Sequence, residues 1–455
     1  MRILVAHNFY QQPGGEDQVF ASEVQLLRRF GHEVATFEAD NDAIDSMGRI
    51  ELLRSTLWNR KMAAAIGKAA AAHRVEVVHF HNTFPLISPA AYAAAHDAGA
   101  AVVQTLHNFR LLCPNALFFR DGKACELCLG KTFATAGIVH KCYRGSRSAS
   151  AAVAALAGTH RLLGTWRNSV DAYIALAEFA RQKFIAGGLP ADRLFVKSNF
   201  LDPDPGPGSG NGGYALFVGR LSQEKGIGTL LAAWRELPGI PLKIIGDGPL
   251  AEEVKAAAKV NPQIQWLGRL PLDQVVEAIG RAAVLVFPSN CYENFARVIV
   301  EAYAKGTPVI ASRHGPMPDI VPDGKTGRLF TPGDAQDLGR TVRDMLSDGR
   351  GLSTLRANAR EAYRSQYTGE ANHEALMKIY AGAIARANGR LKSARAPIPS
   401  PGTPGEGQGG GSFDKARAGS LSAGHNSNLD PHPSPPPEYR EREKNAPTRG
   451  EQVRA

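Results

Sequence analysis

Two segments in the second half of the chain combine charged residues with glycine in a pattern suited to an anion. Arg220 and Lys225 are five residues apart in the segment Val218-Gly219-Arg220-Leu221-Ser222-Gln223-Glu224-Lys225-Gly226. Glu293 and Glu301 are eight residues apart and follow another apolar run. Two cations beside a helix N-terminus suit a diphosphate, and a carboxylate accepts hydrogen bonds from a diol. These residue types predict a site for a phosphate ester that carries hydroxyl groups.

Strands of a parallel sheet must position these two segments. Ala215–Val218 and Leu285–Ser289 are short apolar runs typical of buried strands, and each precedes one of the charged segments. In open α/β sheets ligands bind at the carboxyl ends of the strands, so both segments are expected at one crevice. The sequence therefore predicts a nucleotide-diphosphate site there, with a helix that begins near Glu293 and carries Glu301.

The same alternation of strands and helices recurs along the chain and divides it into two parts. In the first part strands are predicted over Ile3–Ala6, Glu33–Phe37, Val75–Phe80, Ala101–Leu106, Ala172–Leu176 and Leu194–Asn199. In the second part they are predicted over Ala215–Val218, Leu242–Ile245, Ile264–Leu267, Val284–Phe287 and Pro308–Ala311. The pattern predicts an α/β protein with two doubly wound domains.

Breaks in this pattern give the domain boundaries. Residues 201–213 are rich in proline and glycine, as linkers are. They separate a domain at 1–200, with an insert at about 108–168, from a domain at 214–370. A terminal helix at 371–390 is a candidate for crossing back to the first domain. Residues 396–455 contain ten prolines and nine glycines and little that could form a core, so the tail at 391–455 is predicted to be disordered.

Length and composition restrict the class of protein. The chain has 455 residues, 44% of them hydrophobic, and a net charge of +10 from 53 basic and 43 acidic residues, enough for two or three folded domains. No run of 18 apolar residues occurs, so no membrane-spanning helix is predicted. The apolar start Met1–Ala6 is followed at once by His7 and Asn8, which is too short for a signal peptide. We therefore expect a cytoplasmic protein.

Several motifs in a fixed order give the chain a family resemblance. Gly14-Gly15-Glu16 follows the first strand and His107 the fourth, and the segments after them are Gly219–Gly226, Gly246-Asp247-Gly248-Pro249, and Glu293 with Glu301. In this order they resemble the retaining glycosyltransferases of family 4, with the GT-B architecture of two facing Rossmann-like domains. The segment 105–110, with four nearby cysteines, resembles bacterial members linked to surface-polysaccharide assembly. The resemblance implies a hexosyltransferase of the EC 2.4 class that moves a sugar from a nucleotide-diphosphate donor to a glycan or lipid-linked acceptor.

The resemblance also implies a role for each site residue. Arg220 and Lys225 would bind the donor diphosphate and stabilise the charge that builds on it as the bond to the sugar breaks. Glu301 would accept hydrogen bonds from the ribose, and Glu293 from the sugar. His107 would contact the donor sugar from the opposite domain. The backbone that would face the phosphates belongs to Gly14, Gly15, Gly219, Asn294, Phe295 and Ala296.

The chain departs from the family pattern at two of these positions, where glycine is usual. Asn294 and Ala296 stand there, and because asparagine tolerates a positive φ better than most residues, the loop is expected to keep its shape. The resemblance implies substitution on the same face of the sugar, with the departing phosphate taking the acceptor proton. No dedicated base and no catalytic metal are expected, since Arg220, Lys225 and a helix N-terminus supply the positive potential.

Four cysteines lie in the loop-rich insert. Cys113, Cys125, Cys128 and Cys142 have the spacing C-x11-C-x2-C-x13-C. Four thiolates with one C-x2-C pair are the usual ligands of a structural zinc ion. Disulfides, free thiols and an iron–sulfur cluster are the alternatives. Cys291 stands apart from this group, and we expect it to fill a small buried space.

The insert is also basic. Between Leu127 and Val170 there are six Lys or Arg residues and no carboxylate, which makes an anionic membrane surface a candidate partner. An alanine-rich helix over Ser148–Trp166 could lie on that surface, peripherally on the inner face of the membrane. The alternative is a solvated basic face on a helix that packs against the first domain.

Two other classes of function remain open at this point. One is a nucleotide-sugar epimerase on the same fold, but the Arg220/Lys225 and Glu293/Glu301 pairs favour transfer. The other is a non-catalytic protein that binds nucleic acid through the basic insert. The insert has few aromatic or arginine residues for reading bases, so no nucleic-acid partner is expected.

Overall fold

Buried apolar runs in the first half of the chain form a six-stranded parallel sheet. The computed structural model describes residues 1–11 and 14–395, with side chains through Arg390. The strand order is β2-β1-β3-β4-β7-β8, and every neighbouring pair is parallel. These strands are β1 Arg2–Phe9, β2 Glu33–Asp40, β3 Val77–Phe80, β4 Ala101–Leu106, β7 Ala172–Ala175 and β8 Leu194–Val196.

Helices cover both faces of this first sheet, and a small hairpin lies in the insert. The hairpin pairs β5 Phe119–Arg120 with β6 Lys123–Ala124. The helices are α1 Gly15–Arg29, α2 Arg49–Leu57, α3 Arg60–Ala72, α4 Ala90–Asp97, α5 Thr135–Val139, α6 Arg147–Leu162, α7 Thr165–Asn168 and α8 Glu178–Ala186.

The second half of the chain repeats the same architecture. Its sheet has the order β11-β10-β9-β12-β13-β14, again parallel throughout. The strands are β9 Ala215–Val218, β10 Leu242–Ile245, β11 Ile264–Trp266, β12 Val284–Phe287, β13 Val309–Ser312 and β14 Gly327–Phe330. The helices are α9 Ile227–Trp234, α10 Ala251–Val260, α11 Leu272–Arg281, α12 Arg297–Ala304, α13 Met317–Ile320, α14 Ala335–Ser347, α15 Gly349–Gln366 and α16 Gly369–Arg395. The predicted fold class, two Rossmann-like domains, is confirmed.

One strand of the second sheet was not predicted. β14 has the sequence Gly-Arg-Leu-Phe, and Arg328 is exposed, so its apolar run is only two residues long. The strand is defined by its backbone pairing with β13. This pairing needs a close approach at Gly327, since a Cβ there would lie 1.9 Å from the carbonyl oxygen of Val309. Glycine at this edge position permits a close approach that no pattern of hydrophobic residues reports.

Helix α16 returns to the first domain. Leu376, Ile379 and Tyr380 are buried in one cluster with Ile3 and Val103 of the first sheet. The phenol of Tyr380 also lies 2.8 Å from Nδ1 of His79 in β3. The last helix of the chain therefore ties the two domains together through the core of the first one.

The structure corrects two predicted helices. The helix that carries Glu301 begins at Arg297, not near Glu293, so Glu293 lies in the preceding loop. The alanine-rich helix predicted over Ser148–Trp166 ends at Leu162, because Gly164 adopts a left-handed φ of 70° and starts the separate α7. The predicted linker is also well anchored, since its glycine N–H groups bond to carbonyl oxygens of Lys305, Gly280 and Arg281.

The predicted disordered tail lies almost wholly outside the described residues. Its predicted start at residue 391 falls within α16, which continues to Arg395. The remainder, 396–455, is not among the residues that the structure describes.

We predict that the packing of α16 on the first sheet contributes strongly to stability. Leu376 is fully buried, so Leu376→Ala should lower the free energy of unfolding by about 2–5 kcal/mol. Lys378→Ala, two residues away on the exposed face, should change it by less than about 0.5 kcal/mol. Urea denaturation would measure both, and equal effects of the two changes would contradict this role of α16.

Candidate active site

The first part of the site is the loop between β9 and α9. Gly226 has a left-handed φ of 74°, and a Cβ there would lie 1.8 Å from the carbonyl oxygen of Pro288. Only glycine allows the loop to approach the end of β12 this closely. The approach brings Lys225 to the loop that carries Glu293.

Lys225 and Glu293 form an ion pair between these two loops. Lys225 Nζ is 2.7 Å from Glu293 Oε1, and Ser289 Oγ donates to the same oxygen at 2.6 Å. Burial alone would raise the pKa of Glu293, but Lys225 and Ser289 hold it below its usual value. Burial would likewise lower the pKa of Lys225, and Glu293 holds it above its usual value. Both groups are therefore charged near neutral pH, in a fixed geometry.

Arg220 is arranged differently from Lys225. Its side chain is exposed, and it has no ion pair with any residue in the described part of the chain. Arg220 therefore leaves one unpaired guanidinium in the loop that follows β9 at the carboxyl edge of the second sheet. Such a group attracts an anion.

Helix α12 carries the second carboxylate of the site. Glu301 is 5% exposed, and its Oε1 lies 3.2 Å from Nε of Arg297 on the same helix. Burial raises the pKa of Glu301, although Arg297 opposes the shift. A buried carboxylate with one cationic neighbour has acceptor capacity left for hydroxyl groups.

The loop before α12 joins the two domains across the crevice. The side-chain amide of Asn294 donates to the carbonyl oxygen of Leu106, next to His107. Arg297 Nη1 donates to Gln18 Oε1 at 2.8 Å in the first turns of α1. The N-termini of α1 and α12 therefore face each other, and His107 lies beside them.

Asn294 does not use the backbone conformation expected for it. Among the described residues other than glycine, those with positive φ include neither Asn294 nor Ala296. The loop therefore does not need a left-handed residue at either position. The asparagine instead supplies the bond between domains, a contact that glycine could not make.

Gly14 and Gly15 form the N-terminus of α1 at this crevice. Gly14 is the N-cap residue, with a φ of −122°, and its N–H donates to Asp17 Oδ2 at 2.6 Å. Among the residues that the structure describes, a Cβ at Gly15 would meet no atom within 4 Å. Neither packing nor φ demands glycine at residue 15, so the space above its backbone is open to a ligand.

His107 rests on a buried polar network in the first domain. Its Nε2 lies 3.0 Å from Nδ1 of His81, and His81 Nε2 lies 3.1 Å from Glu23 Oε1. Glu23 in turn accepts a hydrogen bond from Lys197 Nζ at 2.7 Å. Burial and the neighbouring His81 hold the pKa of His107 well below its usual value. His107 is therefore neutral and acts through hydrogen bonds.

The sequence analysis missed Glu23 and Lys197. Glu23 lies on the buried face of α1 with Val19, Phe20 and Val24. Burial would raise its pKa, but Lys197 and His79 hold it well below its usual value. The sequence did contain a signal for Glu23, which is a carboxylate within the apolar stripe of a helix. Because carboxylates are buried only when they are paired, this position indicates a buried cationic partner.

A second missed group lies between His107 and the start of α1. Asn108 Nδ2 is 3.4 Å from both the phenol of Tyr10 and Oε2 of Glu16. Burial raises the pKa of Glu16, which Tyr10 partly opposes. This half-buried carboxyl belongs to the Gly14-Gly15-Glu16 motif, and its polar contacts were not readable from the motif alone.

One three-residue cluster in the described chain has the donor set of a metal site. The ligand atoms of Glu23, His79 and His81 all lie within 4.8 Å of one another. Lys197 already supplies a cation to Glu23, and these residues are fully explained as the support of His107. We assign no metal to them.

The cysteines and the basic helix of the insert lie outside this crevice. None of the five cysteines forms a disulfide bond, and Cys113, Cys125, Cys128 and Cys142 line a cavity of their own. Of the apolar residues assigned to a membrane-facing helix, Val153, Leu156 and Trp166 are in the core, whereas Leu163 is 68% exposed. Most of the apolar face of α6 is therefore used within the first domain.

Solved structures with the same fold agree with this architecture. HepE of Anabaena, in complex with UDP, aligns with 83% of this chain and 99% of its own, with a TM-score of 0.61 and 17% identity. Sucrose-phosphate synthase of Thermosynechococcus elongatus aligns with 87% of this chain and 100% of its own, with a TM-score of 0.61 and 18% identity. At this identity the likeness concerns the fold, which is GT-B.

Two family models and several curated relatives match the sequence. Residues 13–205 match Glycosyltransferase Family 4, and residues 206–365 match Glycosyl transferases group 1. The sulfoquinovosyl transferase SQD2 of Arabidopsis thaliana is 36% identical over 32% of this chain and 29% of its own length. Glycogen synthase of Mycobacterium tuberculosis is 30% identical over 40% of this chain and 45% of its own length. These matches span less than half the length of either relative.

Together the two models account for residues 13–365. The chain belongs to the group 1 glycosyltransferases, with a family 4 domain in its first half. In the part of the chain that the structure describes, no helix is both long and apolar enough to cross a membrane.

We predict that His81 makes the stability of the fold pH-dependent. It faces Glu23, His79, His7 and His107, and burial lowers its pKa to about 4, against about 6.5 in an unfolded chain. Between these values the unfolded chain binds a proton that the folded chain does not. The free energy of unfolding should therefore decrease as the pH is lowered from about 6.5 to 4, by up to about 1.4 kcal/mol per pH unit for this one group.

A His81→Asn variant separates this contribution from that of other groups. Its free energy of unfolding, measured by urea denaturation from about pH 6.5 to pH 4.5, should depend on pH less steeply than that of the wild type, by about that amount. Equal slopes in the two proteins would show that His81 is not buried as a neutral group.

Proposed function

We propose that the protein is a retaining glycosyltransferase that moves a sugar from a nucleotide diphosphate to a glycan or lipid-linked acceptor. One observation carries the proposal. The unpaired cation Arg220 and the Lys225–Glu293 pair lie at the carboxyl edge of the second sheet. The helix that follows Glu293, α12, faces the glycine-bearing N-terminus of α1. Two opposed helix N-termini with two cations suit a diphosphate that bridges the domains.

The residues of the crevice divide the work of transfer. Arg220 and Lys225 stabilise the negative charge that grows on the leaving diphosphate, an effect that acts on the transition state more than on the bound substrate. Glu301 accepts hydrogen bonds from the ribose, and Glu293, fixed by Lys225, accepts them from the sugar. Neutral His107 contacts the sugar without adding a charge that would compete for the diphosphate.

The acceptor proton goes to the departing phosphate. The acceptor oxygen forms its bond to the anomeric carbon on the face from which the phosphate leaves, so the configuration is retained. The neutralising charge comes from Arg220, Lys225 and the helix N-termini, and the proposal includes no catalytic metal.

The acceptor side lies in the first domain. A cavity of about 50 Å³ is lined by His81, His107, Asn108 and Arg110, beside the end of β4. The guanidinium of Arg110 stacks over Phe84 at 4.5 Å from the ring centre, and rings of this kind also suit sugar faces. We propose that this cavity takes the end of a glycan.

The site of action is part of the proposal. Five cysteines without a disulfide bond among them suit the reducing cytoplasm. The six cations of 127–170, together with Leu162 and Leu163, each 68% exposed, suit peripheral binding to an anionic inner membrane surface. Such binding would bring a lipid-linked acceptor to the crevice.

A nucleotide screen tests the donor site. Among UDP, GDP, ADP and their sugar conjugates, the ligands with one particular base should raise the melting temperature of the protein. A ligand at about 100 times its dissociation constant stabilises the folded state by roughly 2.7 kcal/mol. Arg220→Ala and Glu301→Ala should each abolish most of that shift. Arg235→Ala, an exposed arginine at the other end of α9, is the matched control and should keep it.

The outcome also separates the rival functions. No shift with any nucleotide, together with a salt-dependent shift on nucleic acid, would favour the binding protein. A shift with nucleotide sugar but conversion of the sugar without an acceptor would favour an epimerase.

We predict that Gly15 serves the ligand and not the fold. Gly15→Ala should leave the free energy of unfolding unchanged or raise it by up to about 1 kcal/mol, since alanine favours a helix. The added methyl should lower donor affinity by about tenfold or more, measured by calorimetric titration, because it occupies the space above the backbone. Gly382→Ala, at an equally open and exposed helix position in α16, should leave donor affinity unchanged. An unaltered affinity in Gly15→Ala would remove α1 from the diphosphate site.

A further inference from the structure

Four cysteines from separate parts of the insert meet at one place. Cys113 lies in the turns after β4, Cys125 follows the β5–β6 hairpin, Cys128 lies in the next turn, and Cys142 follows α5. Their side chains line one cavity of about 10 Å³. That is about the volume occupied by a single water-sized atom, so the cavity fits one ion and little else.

One hydrogen bond fixes a sulfur at this cavity. The thiol of Cys113 donates to Asn115 Oδ1 at 2.9 Å, and Asn115 lines the same cavity.

Four sulfurs from separate segments at one cavity have the donor set of a metal ion, which would hold these segments together.

The part of the insert around Cys128 has only a small core of its own, whereas Phe109, Leu112 and Phe118 belong to the main core of the first domain. The small core consists of Cys128, Ala134 and Ala154, with Ala136 and Ile138 packed against it. The β5–β6 strands are two residues long each. Segments with so little apolar burial usually depend on a metal or on disulfides.

We infer that Cys113, Cys125, Cys128 and Cys142 bind one structural zinc ion. Four sulfur ligands form a closed tetrahedral site with no open position for a substrate. Among the described residues, no three of these sulfurs lie within 4.8 Å of one another, so binding of the ion requires the sulfurs to move closer together. The binding releases one proton from each thiol that ionises.

The zinc site is connected to the crevice through the residue that follows Cys125. Glu126 Oε1 accepts a hydrogen bond from Lys183 Nζ at 2.6 Å, and the same ammonium lies 5.5 Å from the ring centre of Tyr292. Tyr292 precedes Glu293 and packs on Phe118 of the insert, with 6.3 Å between ring centres. The ion therefore holds the C-x2-C turn where it contacts the loop that carries Glu293.

Metal analysis of the purified full chain tests the inference. Protein purified without added metal or chelator should contain about one zinc per chain by mass spectrometry. Cys128→Ser and Cys142→Ser should each lose most of it. Cys291→Ser, a buried cysteine outside the cavity, is the matched control for metal content and should retain it.

A second measurement keeps the inference testable if the serine variants fail to fold. A zinc chelator should lower the melting temperature of the wild type, and zinc but not magnesium should restore it. Cobalt added to the chelated protein should give the visible absorption bands of a tetrahedral thiolate complex.

Four outcomes would overturn the inference. The first is wild-type protein that contains no zinc and whose thiols all react with an alkylating agent. The second and third are iron with inorganic sulfide in place of zinc, and disulfide bonds among the four cysteines. The fourth is a Cys128→Ser variant that keeps its full zinc content. None of these readouts depends on glycosyl transfer, so they are independent of the proposed function.

Discussion

The ion pair between Lys225 and Glu293 is the contact on which the crevice depends. Each residue lies on the loop after a different strand of the second sheet, and the 2.7 Å bond between them fixes the distance between those loops. Burying two charges is costly unless geometry and further hydrogen bonds offset the desolvation. Ser289 supplies such a bond, and Gly226 allows the loops to come together.

The opposite wall uses a second buried pair for a related purpose. Glu23 and Lys197 are both almost fully buried. His79 and His81 both contact Glu23, and His81 lies between Glu23 and His107. The charge of Glu23 fixes the orientation of His81, and His81 orients the neutral ring of His107. One wall of the crevice thus presents a fixed charge pair, whereas the other presents an uncharged ring held by buried charges.

Polar and aromatic side-chain contacts connect the two walls. Asn294 donates to Leu106, Arg297 donates to Gln18, and Tyr292 packs on Phe118 of the insert. The domains are also joined by α16, which packs in the core of the first sheet. A large apolar interface would fix the two domains rigidly, whereas side-chain contacts of this kind can break and form again as substrates enter and leave.

Much of the fold was determined by the sequence alone. Strands such as Ala215–Val218 and Leu242–Ile245 were predicted at the bounds that the structure has, because a buried parallel strand is a continuous apolar run between turn residues. β14 was missed, since its pairing rests on a backbone approach at Gly327 and not on side-chain hydrophobicity. The helix near Glu293 was placed four residues early, because a polar loop and a first helical turn look alike in sequence.

The candidate site divides in the same way. Motif order and the position of polar residues at strand ends were enough to nominate Arg220, Lys225, Glu293 and Glu301, because the carboxyl ends of parallel strands share one edge. Only the tertiary structure decided that Lys225 pairs with Glu293 while Arg220 stays unpaired. It alone revealed that Asn294 reaches Leu106, 188 residues away, and that Glu23 and Lys197 support His107. Such contacts depend on distances between residues far apart in the chain, and local sequence patterns carry no information about those distances.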